Sequence, residues 1–174
     1  MLLTQHPLSD PFFADYIMDL RTQTNNELIT AEHVDLSSLH SIRLFATKWI
    51  DNAPPRRLDM IILCANTLTP RGSKASTTED GLESNWGLNY MANFHLLSIL
   101  SPALRAQPPD RDVRIIFGTC SSYMGGSLPD FSKEEKPAPK SKAKPTSKES
   151  RKSTALAFTP ASAYATSKLA LMAF

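Results

Sequence analysis

Leu58-Asp59-Met60-Ile61-Ile62-Leu63-Cys64-Ala65 is an apolar run that only one acid, near its start, interrupts. A run of this length and composition is typical of a strand that is buried on both faces of a parallel sheet. A second run of the same kind, Val113-Arg114-Ile115-Ile116-Phe117-Gly118-Thr119, lies further along the chain. The two runs predict an α/β protein built on a parallel sheet.

The residues before the first run predict a helix and a further strand. A helix over 10–23 begins where Asp10 can cap it and Pro11 can take the first helical position. A short strand is predicted over 28–34, and Asp35 ends it. A third strand therefore belongs to the predicted sheet.

Helices separate the predicted strands. One helix, capped by Ser37 or Ser38, precedes the first apolar run, and a long helix from Gly81 to Leu104 follows it. This alternation is that of an open parallel α/β sheet, whose ligands lie beyond the C-terminal strand ends. Two turns fall at such ends, Cys64-Ala65-Asn66 and Cys120-Ser121-Ser122.

The composition is that of a globular protein. Of 174 residues 41% are hydrophobic and 21% charged, which predicts a single domain. No apolar run reaches the roughly 18 residues that a membrane-spanning helix needs, and the first residues do not resemble a secretory signal. The two cysteines are expected to be reduced, and the four histidines have no metal-ligand spacing. We therefore expect a cytoplasmic protein that holds no metal.

Residues 129–157 form a segment rich in Pro, Lys and Ser. Between Lys133 and Lys152 there are eight basic and three acidic residues, whereas the rest of the chain has eleven basic and fourteen acidic ones. Such a segment cannot bury enough apolar surface to offset the entropy of ordering, so a disordered insertion is predicted. The Lys-rich part, residues 133–152, has no aromatic residues between its charges, which argues against a nucleic-acid partner.

Tyr164-Ala165-Thr166-Ser167-Lys168 places a phenol and an ammonium one turn apart on a predicted helix. A cation beside a phenol favours the phenolate and lowers the tyrosine pKa. A tyrosine tuned in this way can exchange a proton with an alcohol or carbonyl oxygen near neutral pH, which is the proton half of a hydride-transfer reaction. The spacing alone is a weak signal.

Four features, in this order, resemble the short-chain dehydrogenase/reductase family in its single-domain, retinol-dehydrogenase-like form. They are the strand ending in Cys64-Ala65-Asn66, the helix with Asn89, the strand leading into the Ser-Ser turn, and Tyr164-x-x-x-Lys168. The resemblance covers about residues 28–126 and 158–174. The segment Asn93-Phe94-His95-Leu96-Leu97 is most similar to fungal members associated with lipid droplets.

The resemblance implies hydride transfer between a nicotinamide cofactor, NADP or NAD, and an alcohol or carbonyl compound. Tyr164 would be the general acid/base. Lys168 would lower the pKa of Tyr164 and hold the ribose of the cofactor. Asn89 would position a water that links Lys168 to solvent.

The residue that polarises the substrate oxygen is a serine in the family. A gapless match of the second strand puts Cys120 at that position, and a shift by one residue puts Ser121 there. We favour Ser121, with Ser122 next, because a thiol is a weaker hydrogen-bond donor than a hydroxyl. Alternatively, both serines satisfy turn amides only.

The cofactor site is expected to be incomplete. Asp35 resembles the aspartate that contacts adenine, although a capping role would suit it equally, and Ala65 with Asn66 would form the floor of the site. The family's Gly-rich turn, where the backbone approaches the pyrophosphate, has no counterpart, since no glycine precedes Gly72. We therefore expect the chain to bind a dinucleotide poorly.

The expected fold is α/β, a partial Rossmann-like open parallel sheet with flanking helices that lacks the first βαβ unit and the C-terminal strands. Residues 1–27 would be an atypical segment, 28–128 the core, and 158–174 the helix with the Tyr-Lys motif of a truncated family member. The strand over 28–34 would pair directly with the one over 58–65 or stay unpaired. An exposed edge of this kind predicts self-association.

Two functions are compatible with these features. The first is an oxidoreductase by ancestry that acts on a small, lipophilic alcohol or carbonyl substrate, in the cytoplasm or at the surface of lipid droplets or the ER. The alternative is a non-catalytic protein whose Lys-rich insertion binds a protein or an anionic surface.

Overall fold

The computed structural model describes residues 1–52, 57–108, 110–128 and 159–174. The predicted disordered insertion over 129–157 lies outside the described residues. The elements are β1 (Leu2–Thr4), α1 (Pro11–Thr24), β2 (Ala31–His33), α2 (Leu39–Ile50), β3 (Met60–Leu63), α3 (Ser84–Trp86), α4 (Ala92–Arg105), β4 (Arg114–Phe117) and α5 (Pro160–Ala173). A π-helical turn over Gly87–Met91, the π turn, joins α3 to α4, and a 3-10 turn over Ser121–Gly125 follows β4.

The strands of the described residues form two separate parallel pairs. In the first pair β1 lies beside β2, with Leu2 opposite Ala31. In the second, β3 lies beside β4, with Met60 opposite Arg114. Both pairs are connected through helices, as parallel strands require.

The pairing expected for the strand over 28–34 is wrong. This strand is shorter than expected. It is paired, and its partner is Leu2–Thr4 and not the strand over 58–65. With α1 between them, β1 and β2 make a βαβ unit, of which β1 and α1 lie in the segment 1–27 that was expected to be atypical and β2 lies in the expected core. Three residues are too few to show the alternation by which a strand is recognised.

The expectation that the apolar runs are buried on both faces is also wrong. On β3, Leu63 is buried and Ile61 packs against the core, whereas Met60 and Ile62 are 49% and 61% exposed. Neighbouring side chains of a strand point to opposite faces, so only one face of β3 is covered in the described part of the chain. The other face keeps an apolar surface.

One hydrophobic core joins the two strand pairs. Helices α2 and α4 pack against each other there, and Ile42 and Ala46 of α2 are fully buried. Val34 at the end of β2 and Leu63 of β3 belong to the same cluster. Complete burial of an aliphatic side chain such as Ile42 contributes about 2 kcal/mol. The covered face of the β3–β4 pair is thus held by helix packing.

The helices begin where their capping residues predict. The Asp10 carboxylate accepts from the Phe12 amide with Pro11 at the first helical position, and Ser38 caps α2. In the part of the chain that the structure describes, no helix has the length and hydrophobicity needed to cross a bilayer. The fold class predicted from the sequence, α/β with small parallel sheets and flanking helices, is confirmed.

Candidate active site

Tyr164 and Lys168 lie one turn apart on α5, which Thr159 caps. Lys168 is 2% exposed, and its Nζ donates to the Gly118 carbonyl oxygen at 3.0 Å. The same Nζ lies 5.6 Å from the centroid of the Tyr164 ring. No ion pair between residues of the described ranges involves Lys168. A buried ammonium with one carbonyl acceptor keeps unused donor capacity, which is costly unless a ligand uses it.

Gly118 brings the end of β4 to this ammonium. Its amide donates to the Leu63 carbonyl at 2.8 Å, so the β3–β4 ladder continues one residue past the strand. A Cβ on Gly118 would come within 3.1 Å of Cys64 atoms. The absence of a side chain therefore lets the two strand ends lie close together under Lys168.

The thiol of Cys120 lies against the phenol of Tyr164, with Sγ 3.6 Å from Oη. Ser121 and Ser122 are exposed on the 3-10 turn. The side chain that the structure brings to Tyr164 is thus Cys120, as the gapless match implies, and not the favoured Ser121. The residue that meets a substrate stays a prediction, and the geometry favours Cys120.

The ionisation of this pair differs from the sequence-based expectation. A hydrogen bond from Ser122, then one from Tyr164 and the charge of Lys168, lower the pKa of the Cys120 thiol. The hydrogen bond to Cys120, together with burial, raises the pKa of Tyr164. The expected lowering of the Tyr164 pKa is therefore wrong here, because the hydrogen bond with the Cys120 sulfur raises it while the Lys168 ammonium is directed at a carbonyl.

Asn89 is fully buried in the π turn and holds two other elements together. Its Oδ1 accepts from the Thr67 amide at 2.7 Å, and its Nδ2 donates to the Thr67 carbonyl at 3.0 Å. The same Nδ2 donates to Ser167 Oγ on α5, also at 3.0 Å. Asn89 thus connects the loop after β3 to the helix of Tyr164 and Lys168; its predicted water remains a prediction.

Two further asparagines on the same helix escaped the sequence reasoning. Asn85 is fully buried and bonds both Thr69 and Glu83, and the Nδ2 of Asn93 donates to the Asn89 carbonyl at 2.9 Å. The sequence did contain a signal for them, since asparagines recur at a spacing of four within an apolar helix. Amides on such a face are buried and therefore need hydrogen-bond partners. Ser167, inside the Tyr-Lys motif, was also missed.

The loop after β3 places Ala65 and Asn66 at the protein surface. Asn66 Nδ2 donates to the Cys64 carbonyl at 3.4 Å, and Cys64 is exposed. Their predicted role as the floor of the cofactor site remains a prediction. The loop lies next to Asn89 through Thr67, which puts it at the same edge of the sheet as Lys168.

Asp35 lies at the end of β2, where its Oδ1 accepts from the Ser37 amide, the Ser37 hydroxyl and Gln5 Nε2. Burial acts to raise the pKa of Asp35, but the hydrogen bonds from Ser37 and Gln5 and the charge of His33 outweigh it and lower the pKa. These contacts are those of a turn-capping carboxylate, the alternative role considered for it.

A cavity of about 230 Å³ opens on another part of α5. It is lined by Glu83, Trp86, Gly125, Ser127, Ser162, Ala163 and Thr166, and neither Tyr164 nor Lys168 borders it. Among the described residues no group of three or more His, Cys, Asp or Glu side chains could hold a metal ion. The chemically distinctive cluster is therefore the one around Lys168.

Sequence relatives of the chain are oxidoreductases. No protein-family model matches it. It is 51% identical over 131 residues to the uncharacterized oxidoreductase pbr1 of Schizosaccharomyces pombe. The aligned residues cover 75% of this chain and 34% of that protein. It is 37% identical over 97 residues to human retinol dehydrogenase 13, covering 56% and 28% respectively. The chain thus spans about a third of the length of the curated relatives it matches.

Solved structures share the fold. A metagenomic short-chain oxidoreductase in complex with NADP aligns with a TM-score of 0.58 at 17% identity, covering 99% of this chain and 59% of that one. At this identity the likeness shows the fold alone. The chain is thus similar in sequence to oxidoreductases and retinol dehydrogenases and similar in fold to proteins of the short-chain dehydrogenase/reductase family.

Proposed function

We propose that the chain carries the catalytic half of an NAD(P)-dependent oxidoreductase that interconverts an alcohol and a carbonyl compound. The observation that supports this most is the buried Lys168 ammonium, free of any carboxylate among the described residues and one turn from Tyr164. A thiol at the end of β4, that of Cys120, lies within contact of the same phenol. Such a cluster offers donors and a proton at one point beyond the strand ends.

The residues present fit one end of a nicotinamide nucleotide better than the other. The unused N–H donors of Lys168 and the hydroxyl of Tyr164 suit the hydroxyls of a ribose, and Ala65 and Asn66 would line the same edge. No glycine precedes Gly72, so the chain offers no close backbone approach for a diphosphate before that point. When bound, the nicotinamide supplies or accepts the hydride.

The chain's own residues would handle the proton and the oxygen. Tyr164 donates a proton to the carbonyl oxygen in reduction and takes it back in oxidation. Cys120 donates a second hydrogen bond to that oxygen in place of a serine, and Lys168 offsets negative charge on the phenol. Donors fixed around an oxygen that gains charge lower the barrier to its formation.

The finer features of the function are proposals too. We infer a small lipophilic substrate, NADP or NAD as cofactor, and a place in the cytoplasm or at the surface of lipid droplets or the ER. The uncovered face of β3, with Met60 and Ile62, supports self-association.

The test is a reductase assay of the purified chain with NADPH and NADH over a panel of aliphatic and aromatic aldehydes and ketones. Tyr164→Phe is expected to lower any turnover by about 10²-fold or more, because the proton donor is lost. Tyr123→Phe, which removes a neighbouring phenol on the 3-10 turn, is the matched control and should leave turnover unchanged. Equal turnover in wild type and Tyr164→Phe would contradict the proposal.

A further inference from the structure

Ser167 lies between the two functional side chains of α5 and is fully buried. Its Oγ donates to the Tyr164 carbonyl at 2.7 Å and accepts from Asn89 Nδ2 at 3.0 Å. The direction of both bonds is fixed, because an amide nitrogen can only donate and a carbonyl can only accept. The serine hydroxyl therefore connects the backbone of Tyr164 to a side chain of another helix.

Asn89 is a rigid partner for this contact. Its Oδ1 and Nδ2 are both bonded to the backbone of Thr67, so its amide plane cannot turn without breaking those bonds. The backbone carbonyl oxygen of Asn89 accepts a hydrogen bond from Asn93 Nδ2. A hydroxyl that bonds this amide is consequently placed with respect to the loop after β3 as well as to the π turn.

Three consecutive residues of α5 bind three different parts of the protein. Thr166 Oγ1 accepts from the Ser127 amide and donates to its carbonyl at 3.2 and 3.3 Å, Ser167 bonds Asn89, and Lys168 bonds the Gly118 carbonyl. Successive side chains on an α-helix point about 100° apart, so these contacts together limit rotation of α5 about its axis. Of these three contacts, only the hydrogen bond of Ser167 reaches the π turn that joins α3 to α4.

The helix is also close to the chain after the 3-10 turn. A Cβ on Gly126 would lie 2.6 Å from the Ala165 carbonyl oxygen. With so little space on that side, a rotation of α5 that moves Tyr164 is restrained by packing there and by Ser167 on the side of the π turn.

We propose that Ser167 is a positioning residue for Tyr164 and Lys168: its bond to Asn89 fixes the rotation of α5, so that the phenol meets Cys120 and the ammonium meets the Gly118 carbonyl. The meaning of this contact for catalysis rests on the function proposed above. The test does not, because it follows the contact between Cys120 and Tyr164 in the chain without cofactor or substrate.

The experiment measures the pH dependence of alkylation by iodoacetamide at each cysteine, resolved by peptide mass spectrometry. Cys64 is exposed and serves as the internal control. In Ser167→Ala the alkylation midpoint of Cys120 is expected to rise by about half a pH unit or more, towards the ordinary value near ~8.5, because the phenol no longer meets the sulfur. Ser98→Ala, which loses a hydroxyl that bonds only the Phe94 carbonyl of its own helix, is the matched control and should keep the wild-type midpoint.

A wild-type midpoint for Cys120 in folded Ser167→Ala overturns the proposal, as does an equal rise in Ser98→Ala. If circular dichroism shows Ser167→Ala to be unfolded, Ser167→Cys decides the matter, since it retains the shape and a weaker acceptor. A rise of the Cys120 midpoint above the wild-type value in Ser167→Cys supports the proposal, and a wild-type midpoint counts against it. Failure of every reductase assay would leave these outcomes intact.

Discussion

Cys120 Sγ and Tyr164 Oη lie 3.6 Å apart and share a hydrogen bond between the end of β4 and the middle of α5. The pKa of the thiol is lowered and that of the phenol is raised. As the pH rises, the thiol therefore loses its proton first, and the phenol then donates to the thiolate. A substrate oxygen that replaces this contact would meet a phenol that still carries its proton.

The nature of the second donor should affect catalysis. In Cys120→Ser a hydroxyl replaces a weaker thiol donor, so turnover in the reductase assay should equal or exceed that of wild type. In Cys120→Ala the donor is lost, and turnover should fall by about 10²-fold. The measurement is the steady-state reductase rate of each variant, compared with that of wild type. Equal activity of Cys120→Ala and wild type would show that Cys120 has no role in the reaction.

The ionisation of Cys120 should depend on its neighbours. The thiolate form is the one that reacts, and hydrogen bonds to it lower its pKa, so loss of a donor makes the thiol less reactive at neutral pH. Tyr164→Phe should therefore slow alkylation of Cys120 at pH near 7.5 by about threefold and raise its midpoint. Tyr123→Phe is the control, and the same slowing there would assign the effect to the turn as a whole.

Removal of the buried amide at Asn89 should destabilise the fold. Asn89→Leu leaves the amide and carbonyl of Thr67 without a partner and removes the donor to the Ser167 hydroxyl, so a loss of about 3 kcal/mol or more in the free energy of unfolding is expected. Urea titration followed by circular dichroism measures it. Asn66→Ala, at an exposed position, should change the free energy by less than about 0.5 kcal/mol.

Dinucleotide binding should be weak. The side chains proposed to bind the ribose, Tyr164 and Lys168, are present, but no glycine precedes Gly72 to admit a diphosphate close to the backbone. Calorimetry with NADPH on the purified 174-residue chain is expected to give a dissociation constant weaker than micromolar. Micromolar affinity would mean that other residues replace the Gly-rich turn.

The open side of β3 should drive association. Ile62 is 61% exposed on a strand whose only partner among the described residues is β4. A lysine at an exposed strand position opposes pairing between chains, so Ile62→Lys should lower the weight-average mass in sedimentation equilibrium. Leu44→Lys on α2, at a side chain that is 60% exposed, is the matched control. Association that is unchanged by Ile62→Lys would locate the contact elsewhere.

Local chemistry made several elements predictable from the sequence. The carboxylate of Asp10 and the hydroxyl of Ser38 mark the starts of α1 and α2, because caps act within one turn of the backbone. The apolar runs gave the position of β3 and β4 but not their exposure, which depends on what else covers them. Met60 and Ile62 illustrate this, since a strand pattern does not state how many faces will be packed.

Contacts between distant residues were not predictable in the same way. The π turn at Asn89 follows from bonds to Thr67 and Ser167, which are far apart in sequence, and no local preference encodes it. Leu2–Thr4 forms a strand only because β2 lies beside it. The choice of Cys120 over Ser121 depended on the last residue of a strand, where a shift by one position changes the side chain presented.

The two strand pairs have a mechanical consequence. No backbone ladder in the described ranges connects the pair that ends near Asp35 to the pair that ends under Lys168. Side chains of the common core, Val34 and Leu63 among them, pack between the two pairs. A small hinge movement of one pair against the other would cost packing but would break no hydrogen bond between strands, so the spacing of the two pairs is set by aliphatic contacts.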